Sequence, residues 1–317
     1  METILNMQGV TKGCRKKPVV NRLDLSLRQG EVYGLLGHSG AGKTTVLRMA
    51  VGLVRPDSGV IELFGKEITR RDSREVRGRV GCVMDVPGFL PNLTGVENLD
   101  IHRRLMGVPD REGMEQVLEQ TGLTEAGSRL VMNYSLDMRK RLSMARALLH
   151  QPEFLILDEP VTGLDPKGIR EIRFLLRQLA KDRRVTVLLT SHDLREIQQI
   201  AGRVGILYQG ELVKELEVDE LEQLQRPFLQ LTVGDAGKAA FILEEECDIQ
   251  NYQVVGERRI DVFEQVDQAS GIVRRLVLNE VEVHGVHPVR NSLEEYYAQV
   301  MRRGEVADTD LGGAGQV

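Results

Sequence analysis

The stretch "GHSGAGKTT" has the residue types and spacing that bind phosphate. It matches the pattern G-x-x-x-x-G-K-[ST], whose glycines let backbone N–H groups point inward around phosphate oxygens. The alternative, a glycine-rich turn without function, is disfavoured because the stretch follows a strand pattern and precedes a helical one. Lysine reaches the terminal phosphates, and the hydroxyl of Thr44 suits a magnesium ligand. We predict an ATP-binding loop made of Gly37, His38, Ser39, Gly40, Ala41, Gly42, Lys43, Thr44 and Thr45.

Two acids end a second apolar strand pattern, "FLILDE". Asp158 is placed to hold magnesium directly or through water, and Glu159 to polarise the attacking water. The alternative is an acidic pair that caps a helix after a strand. His192 follows a third strand pattern, "VTVLLTSH", where it could hydrogen-bond the γ-phosphate. An isolated histidine is more often a packed core or capping residue, but with the loop present we predict Glu159 and His192 as catalytic.

These residues need a sheet that brings several strand ends together. The runs "EVYGLLG", "FLILDEP" and "VTVLLTSH" are nearly continuous in apolar residues, as strands of a mainly parallel sheet covered on both faces are. Residues 204–215 form a hairpin pattern with Gln209-Gly210 at the turn. We predict an α/β domain over residues 1–217 with a mixed, mainly parallel sheet.

A helical pattern interrupts that domain over about residues 86–150. "TGVE" (Thr94–Glu97) is a capping box that opens a helix ending near Gly107. A second helical segment stops at Gly122. Ser135 is the expected N-cap of a third helix, which carries one apolar face.

The composition changes after about residue 217 towards acidic and polar residues. Strand, helix, hairpin, helix and strand patterns follow one another over residues 218–303. That order predicts a small α+β accessory domain, for which a ferredoxin-like split β-α-β unit is one arrangement. The tail over residues 304–317 is expected to be disordered.

Composition limits the class of protein. The chain has 317 residues, a formal net charge of −5 and three cysteines without metal-ligand spacing. The charge does not favour nucleic acid as a partner, and the cysteines are expected to be reduced thiols of a cytosolic protein. No run approaches the ~18 apolar residues of a membrane span, and the first residues do not resemble a signal peptide.

The order of the motifs is similar to that of the nucleotide-binding subunits of ATP-binding-cassette (ABC) transporters. "GHSGAGKTT", "YSLDMRKRL", "FLILDEP", "GLDP" and "TSHD" carry this resemblance over about the first 215 residues. "PGFLPNLTGVENL" and the closing "SLEEYYAQV" look most like the subgroup that exports bacitracin and lantibiotics or protects against them. The expected fold is a P-loop NTPase cassette with a helical subdomain insertion.

The resemblance implies ATP and Mg²⁺ as cofactors and a two-subunit mechanism. Each ATP would lie between the loop of one subunit and the signature segment of another, which here contains Ser135, Leu136 and Asp137. Asp165, in "GLDP", would lie at the dimer seam, and the region from Asp85 onwards would touch a separate membrane permease. The chain would then be peripheral on the cytoplasmic face of the membrane, and its partner cassette could be a second copy or an unlike subunit.

Three positions depart from the family pattern. Cys14 stands where the family commonly stacks an aromatic residue on adenine, so affinity for the nucleotide is expected to be weaker. Asp85 replaces a glutamine, and its carboxylate could still bind magnesium or orient water. Asp137 replaces a glycine that faces the γ-phosphate, where its charge would repel the phosphate. The alternative is an acid tolerated in the first turn of a helix.

Three functional hypotheses follow. The first is an ATPase subunit that powers a permease, exporting or conferring resistance to an antimicrobial peptide or other small molecule. The second is an ATP-dependent, dimerising regulatory subunit with weak hydrolysis, which Asp137 and Cys14 favour and Glu159 and His192 disfavour. A cassette protein of ribosomes or DNA is a third class, but such proteins usually carry two cassettes or a long coiled coil.

Overall fold

The computed structural model describes residues 2–14, 17–68, 76, 78–84, 88–109, 111–224 and 227–289. The chain divides into two units, a first one up to Val218 and a second one from Asp219. The domain limits given above stay a prediction, and the tail over 304–317 lies outside the described residues.

The described residues of the first unit form two sheets. One is antiparallel and consists of β1 (Thr3–Cys14), β2 (Lys17–Arg28), β4 (Ser58–Leu63) and β5 (Lys66–Glu67), in the order β2-β1-β4-β5. The other has six strands in the order β10-β9-β3-β8-β7-β6: β3 (Val32–Leu36), β6 (Val80–Val83), β7 (Phe154–Leu157), β8 (Thr186–Ser191), β9 (Arg203–Tyr208) and β10 (Glu211–Glu217). All its neighbouring pairs are parallel except β9 and β10. The mixed, mainly parallel sheet is therefore confirmed.

The strands β3, β7 and β8 are buried at every residue, which explains their continuous apolar runs. Their order in the sheet places β8 between β3 and β7. Since the three strands are parallel, the residues that follow them meet at one edge. This edge positions the loop after β3, the two acids after β7 and the histidine after β8.

The described part of the first unit has six α-helices of five or more residues, and several of them begin or end at residues suited to those positions. They are α1 (Lys43–Ala50), α2 (Gly95–Met106), α3 (Glu112–Gln120), α4 (Leu136–Leu148), α5 (Pro166–Arg183) and α6 (Leu194–Gln198). The capping box of Thr94 and Glu97 is formed, and Gly107 ends α2 with φ 70°. Ser135 caps α4 by accepting from the backbone N–H of Met138. These helix starts and ends are confirmed.

The second unit begins within the helix α7 (Val218–Leu224), and the elements after this helix have the order β-α-β-β-α-β. Its elements are β11 (Phe228–Val233), α8 (Ala236–Cys247), β12 (Tyr252–Val254), β13 (Arg259–Val262), α9 (Ala269–Leu278) and β14 (Val283–Val289). The strands form an antiparallel sheet in the order β12-β13-β11-β14. Apolar residues of β11 and β13 pack against both helices in a core of their own.

Candidate active site

The predicted nucleotide loop connects β3 to α1 and depends on glycine at two positions. Gly42 has φ 106°, and a Cβ there would lie 2.6 Å from the carbonyl oxygen of Val19. Gly40 also has a left-handed φ of 83°, but no atom of the described residues lies within 4 Å of its Cβ position. Gly42 therefore meets both a conformational and a steric requirement, whereas Gly40 meets the conformational one alone.

Lys43 lies inside this loop, only 6% exposed. Its Nζ donates to the carbonyl oxygens of Gly37 (2.6 Å) and His38 (3.2 Å). The same Nζ lies 3.7 Å from Oε1 of Glu159. The loop's carbonyls thus hold a positive charge at the N-terminus of α1, where the helix dipole also favours an anion.

Asp158 is held by two hydroxyl groups. Thr44 Oγ1 donates to its Oδ2 at 2.6 Å, and Thr190 Oγ1 donates to its Oδ1 at 2.6 Å. Thr44 belongs to α1 and Thr190 to β8, so the carboxylate joins the nucleotide loop to the neighbouring strand. A hydroxyl and a carboxylate oxygen in contact form a donor set that suits Mg²⁺, which takes few protein ligands beside phosphates and water.

Glu159 lies in an unusual backbone conformation for a residue with a side chain, with φ 46°. Its backbone N–H donates to Thr190 Oγ1 at 3.0 Å, and its Oε2 accepts from Thr162 Oγ1 at 3.2 Å. Its Oε1 lies 3.3 Å from Nδ1 of His192. The left-handed conformation is strained by about 1–3 kcal/mol, and such strain occurs often at active sites. The carboxylate therefore lies between an imidazole and an ammonium, positioned to act on a water molecule.

A cavity of about 330 Å³ opens beside these groups. Its lining includes Thr44, Asp158 and Glu159, together with Lys140 from the second turn of α4. Burial lowers the pKa of the Lys140 ammonium, against the opposing effect of Glu159. The Nζ of Lys140 also donates to the carbonyl oxygen of Thr162. Lys140 thus places a second cation near the acids, which the sequence patterns did not predict.

The β9–β10 turn contacts the nucleotide loop through a backbone hydrogen bond. The N–H of Gly210 donates to the carbonyl oxygen of Ala41 (3.0 Å), and the N–H of Asn21 donates to the carbonyl oxygen of Gly210 (2.9 Å). The rings of His38 and Tyr208 meet edge to face, with centroids 5.7 Å apart. The hairpin predicted at Gln209-Gly210 is confirmed, and its tip has the additional role of fixing the loop.

The residues of the signature segment lie at the start of α4. Ser135 is the N-cap, Leu136 is 52% exposed, and Asp137 Oδ2 accepts from Arg141 Nε at 2.8 Å. Asp165 caps α5 by accepting from the N–H of Gly168 at 2.6 Å. The i,i+4 ion pair of Asp137 supports the interpretation of this acid as a residue tolerated in the first helical turn.

The structure brings five of the predicted residues together: Lys43, Thr44, Asp158, Glu159 and His192. Asp85 lies outside the described residues, as does the side chain of Cys14 at the end of β1. Sequence reasoning missed Thr190 and Thr162, which hold the two acids. The polar residue inside the apolar run "VLLTS" was the available signal for Thr190.

Comparison with known proteins agrees with this geometry. The family model described as "ABC transporter" matches residues 20–162, and one described as "AAA domain, putative AbiEii toxin, Type IV TA system" matches residues 139–197. The chain is 39% identical over 306 residues to the bacitracin transport ATP-binding protein BcrA of Bacillus licheniformis, covering 96% of this chain and 100% of that protein. It is 34% identical over 225 residues to the lantibiotic transport ATP-binding protein SrtF of Streptococcus pyogenes, covering 71% and 96%.

Among solved structures, the fold matches the dimeric post-hydrolysis state of the ATP-binding cassette MJ0796 bound to ADP and Pi. The TM-score is 0.63 at 23% identity, covering 68% of this chain and 99% of that one. The fold and the site therefore define a P-loop ATPase of the cassette type. The chain belongs to the ABC transporter ATP-binding protein family.

Family membership establishes an ATP-binding and ATP-hydrolysing subunit that powers transport through a separate permease. Subunits of this family also dimerise. Within the described part of the chain, none of the helices combines the length and apolar character that crossing a membrane requires.

Proposed function

We propose that this chain binds ATP through Gly37–Thr45 and hydrolyses it with Glu159 and His192. The supporting observation is the joint anchoring of both acids: Thr190 holds the side chain of Asp158 and the backbone of Glu159 at once. Glu159 accepts a proton from water, and His192 orients the Glu159 carboxylate while reaching towards the γ-phosphate. Lys43 and the loop's N–H groups hold the terminal phosphates.

Mg²⁺ is proposed as the metal of this site, held by Thr44 and Asp158. When bound, it neutralises charge on the phosphoryl oxygens and orients them. Asp85 is proposed as a further oxygen ligand or as a residue that orients water. The hydroxyl–carboxylate pair of Thr44 and Asp158 supports this assignment, because hard cations prefer oxygen donors.

The second cassette is proposed to contact the nucleotide through the start of α4, with Ser135, Leu136 and Asp137 facing the partner's γ-phosphate and Asp165 at the seam. The exposed, Ser135-capped start of α4 supports this, since free N–H groups at a helix N-terminus favour an anion. A second copy or an unlike subunit could fill the partner's place. Either arrangement would sit on the cytoplasmic face of the membrane beside the permease.

The proposed substrate class is an antimicrobial peptide or another small molecule, which the permease exports. Its support is that two relatives are named as bacitracin and lantibiotic transport ATP-binding proteins. Cells that express the chain with its cognate permease should tolerate bacitracin better than cells expressing Glu159→Gln. Equal tolerance of the two strains would contradict this substrate and leave the ATPase assignment in place.

Steady-state ATP hydrolysis by the purified chain is the primary test. Wild type should turn over ATP, and Glu159→Gln should lose nearly all turnover while still binding ATP. Asp137→Gly distinguishes the two interpretations of the acid. A many-fold rise in the rate of hydrolysis would show that Asp137 inhibits turnover and would support the regulatory alternative. We expect only a small change, because Asp137 is held in an ion pair with Arg141.

A further inference from the structure

The carboxylate of Asp137 is turned into the protein. Its Oδ2 accepts from Arg141 Nε, and its Oδ1 is buried with no hydrogen-bond partner among the residues that the structure describes. A Cβ on Gly168, in the first turn of α5, would lie 2.9 Å from this Oδ1. The acid therefore packs against the backbone of α5, which a residue larger than glycine at position 168 would obstruct.

Arg141 holds this arrangement in place. It is only 8% exposed, and its Nη1 donates to Glu171 Oε2 (2.5 Å) and to the carbonyl oxygen of Thr121 (3.3 Å). One guanidinium thus joins α4 to α5 and to the end of α3. Because Glu171 and Thr121 fix Arg141, the carboxylate of Asp137 that Arg141 binds, four residues earlier on the same helix, is also fixed.

The negative charge of Asp137 matters because of where α4 begins. The N-terminus of α4 is the part proposed to face the partner's γ-phosphate. Two unit negative charges ~4 Å apart at an effective dielectric of ~20 repel enough to change an equilibrium about a thousandfold. A carboxylate in a helix's first turn can also occupy the N–H groups that a phosphate would use. An acid in this segment is therefore compatible with nucleotide contact only if it is neutralised and held back.

We propose that Arg141 is a positioning residue that withdraws Asp137 from the phosphate-facing end of α4. This inference rests on the proposed contact between α4 and the partner's nucleotide. It explains how a chain with an acid in its signature segment can still be an active ATPase. Arg141 does not touch the nucleotide in this arrangement, and its effect passes through Asp137.

A double-mutant cycle tests the proposal. Arg141→Met removes the charge and keeps an unbranched side chain suited to a helix. We expect it to lower kcat/KM for ATP about tenfold to a hundredfold, the size of one charge-assisted hydrogen bond. The same substitution in an Asp137→Gly background should lower kcat/KM by less than about threefold, because no carboxylate remains to be withdrawn.

Two controls separate this role from a purely structural one. Glu171→Gln removes the other acidic partner of Arg141 and leaves the pair with Asp137, so its loss of kcat/KM should be clearly smaller. Thermal unfolding of every variant measures the loss of packing, and all activities are compared at one temperature below the lowest transition. Equal kcat/KM losses from Arg141→Met with and without Asp137 would overturn the proposal.

A second readout does not depend on turnover. In a Glu159→Gln background, the ATP concentration that drives dimer formation can be followed by light scattering. Arg141→Met should raise this concentration about tenfold, and adding Asp137→Gly should restore it. If ATP drives dimer formation but adding Asp137→Gly does not restore the lower ATP concentration, the positioning role of Arg141 is refuted and the proposed ATP site is not. If the wild-type chain shows neither an ATP-dependent dimer nor hydrolysis, the proposed contact of α4 with the nucleotide of a second copy is refuted, and the inference about Arg141 with it.

Discussion

Replacing Thr190 by valine should separate the anchoring of the acids from the stability of the strand. Valine keeps the β-branched shape and removes the hydroxyl. Thr190 is fully buried, and its Oγ1 donates to Asp158 Oδ1 and accepts from the N–H of Glu159. The bond to a charged group contributes about 1.5–3 kcal/mol and the neutral one about 1 kcal/mol. We therefore expect a loss of about 2.5–4 kcal/mol in the free energy of unfolding.

The effect on catalysis follows from the same two bonds. Without them, the side chain of Asp158 and the backbone of Glu159 lose a common support, and the left-handed conformation of Glu159 loses one of the contacts that hold it. We expect kcat to fall about tenfold to a hundredfold, since misplacement of a catalytic group by about 1 Å has that order of effect. Steady-state hydrolysis below the unfolding transition measures it.

Thr186 provides the matched control. It lies on the same strand, is equally buried, and its Oγ1 accepts from Gly30 N–H (3.0 Å) and donates to the carbonyl oxygen of Arg28 (3.4 Å). Thr186→Val should cost about 1–2 kcal/mol of stability and leave kcat unchanged. If Thr190→Val loses stability but keeps full kcat, the positioning role assigned to Thr190 is wrong.

Two further predictions concern other parts of the first unit. Gly42→Ala should weaken ATP binding at least tenfold and lower the free energy of unfolding by more than about 2 kcal/mol, because it adds a clash with Val19 to an unfavourable φ. Gly40→Ala should lower the free energy of unfolding by only about 1 kcal/mol, because it meets no clash. Equal effects of the two substitutions on equilibrium ATP binding and on unfolding would contradict the steric argument. Burial, followed by the nearby Arg146 and His150, lowers the pKa of His102 from 6.5 to about 4. The unfolded chain therefore takes up this proton first, and the free energy of unfolding should fall as pH decreases from about 6.5 to about 4. Urea denaturation should show a smaller fall over that window for His102→Gln, and an unchanged slope would contradict this.

Local patterns predicted the parts of this protein that depend on short spacings. The nucleotide loop, the acids after β7 and the capped helices are each encoded within a few residues, so one sequence suffices to find them. The antiparallel sheet of β1, β2, β4 and β5 was missed, although Leu23, Leu25 and Leu27 alternate with polar residues and are all buried. That period of two was the available signal.

Partners distant in the sequence could not be predicted. Thr190 on β8 binds Asp158 at the end of the neighbouring strand β7, and Gly210 donates to Ala41 from a turn far along the chain. Asp137 shows a different limit. Its position in the motif suggested repulsion of a phosphate, but its effect depends on where the side chain points, and the i,i+4 spacing to Arg141 was the sign that it points elsewhere.

The bond between Ala41 and Gly210 also has a consequence for the order of events during synthesis. The nucleotide loop is complete in sequence by Thr45, but the residues that hold it are made much later. They are Asp158, which binds Thr44, Ser191, whose carbonyl oxygen accepts from the N–H of Gly37, and Gly210, which donates to Ala41. At ribosomal speeds, the roughly 165 residues between Thr45 and Gly210 take about 10–30 s to appear. During that interval the motif lacks its contacts with Asp158, Ser191 and Gly210. We therefore expect ATP to stabilise this subunit only after nearly the whole first unit has left the ribosome.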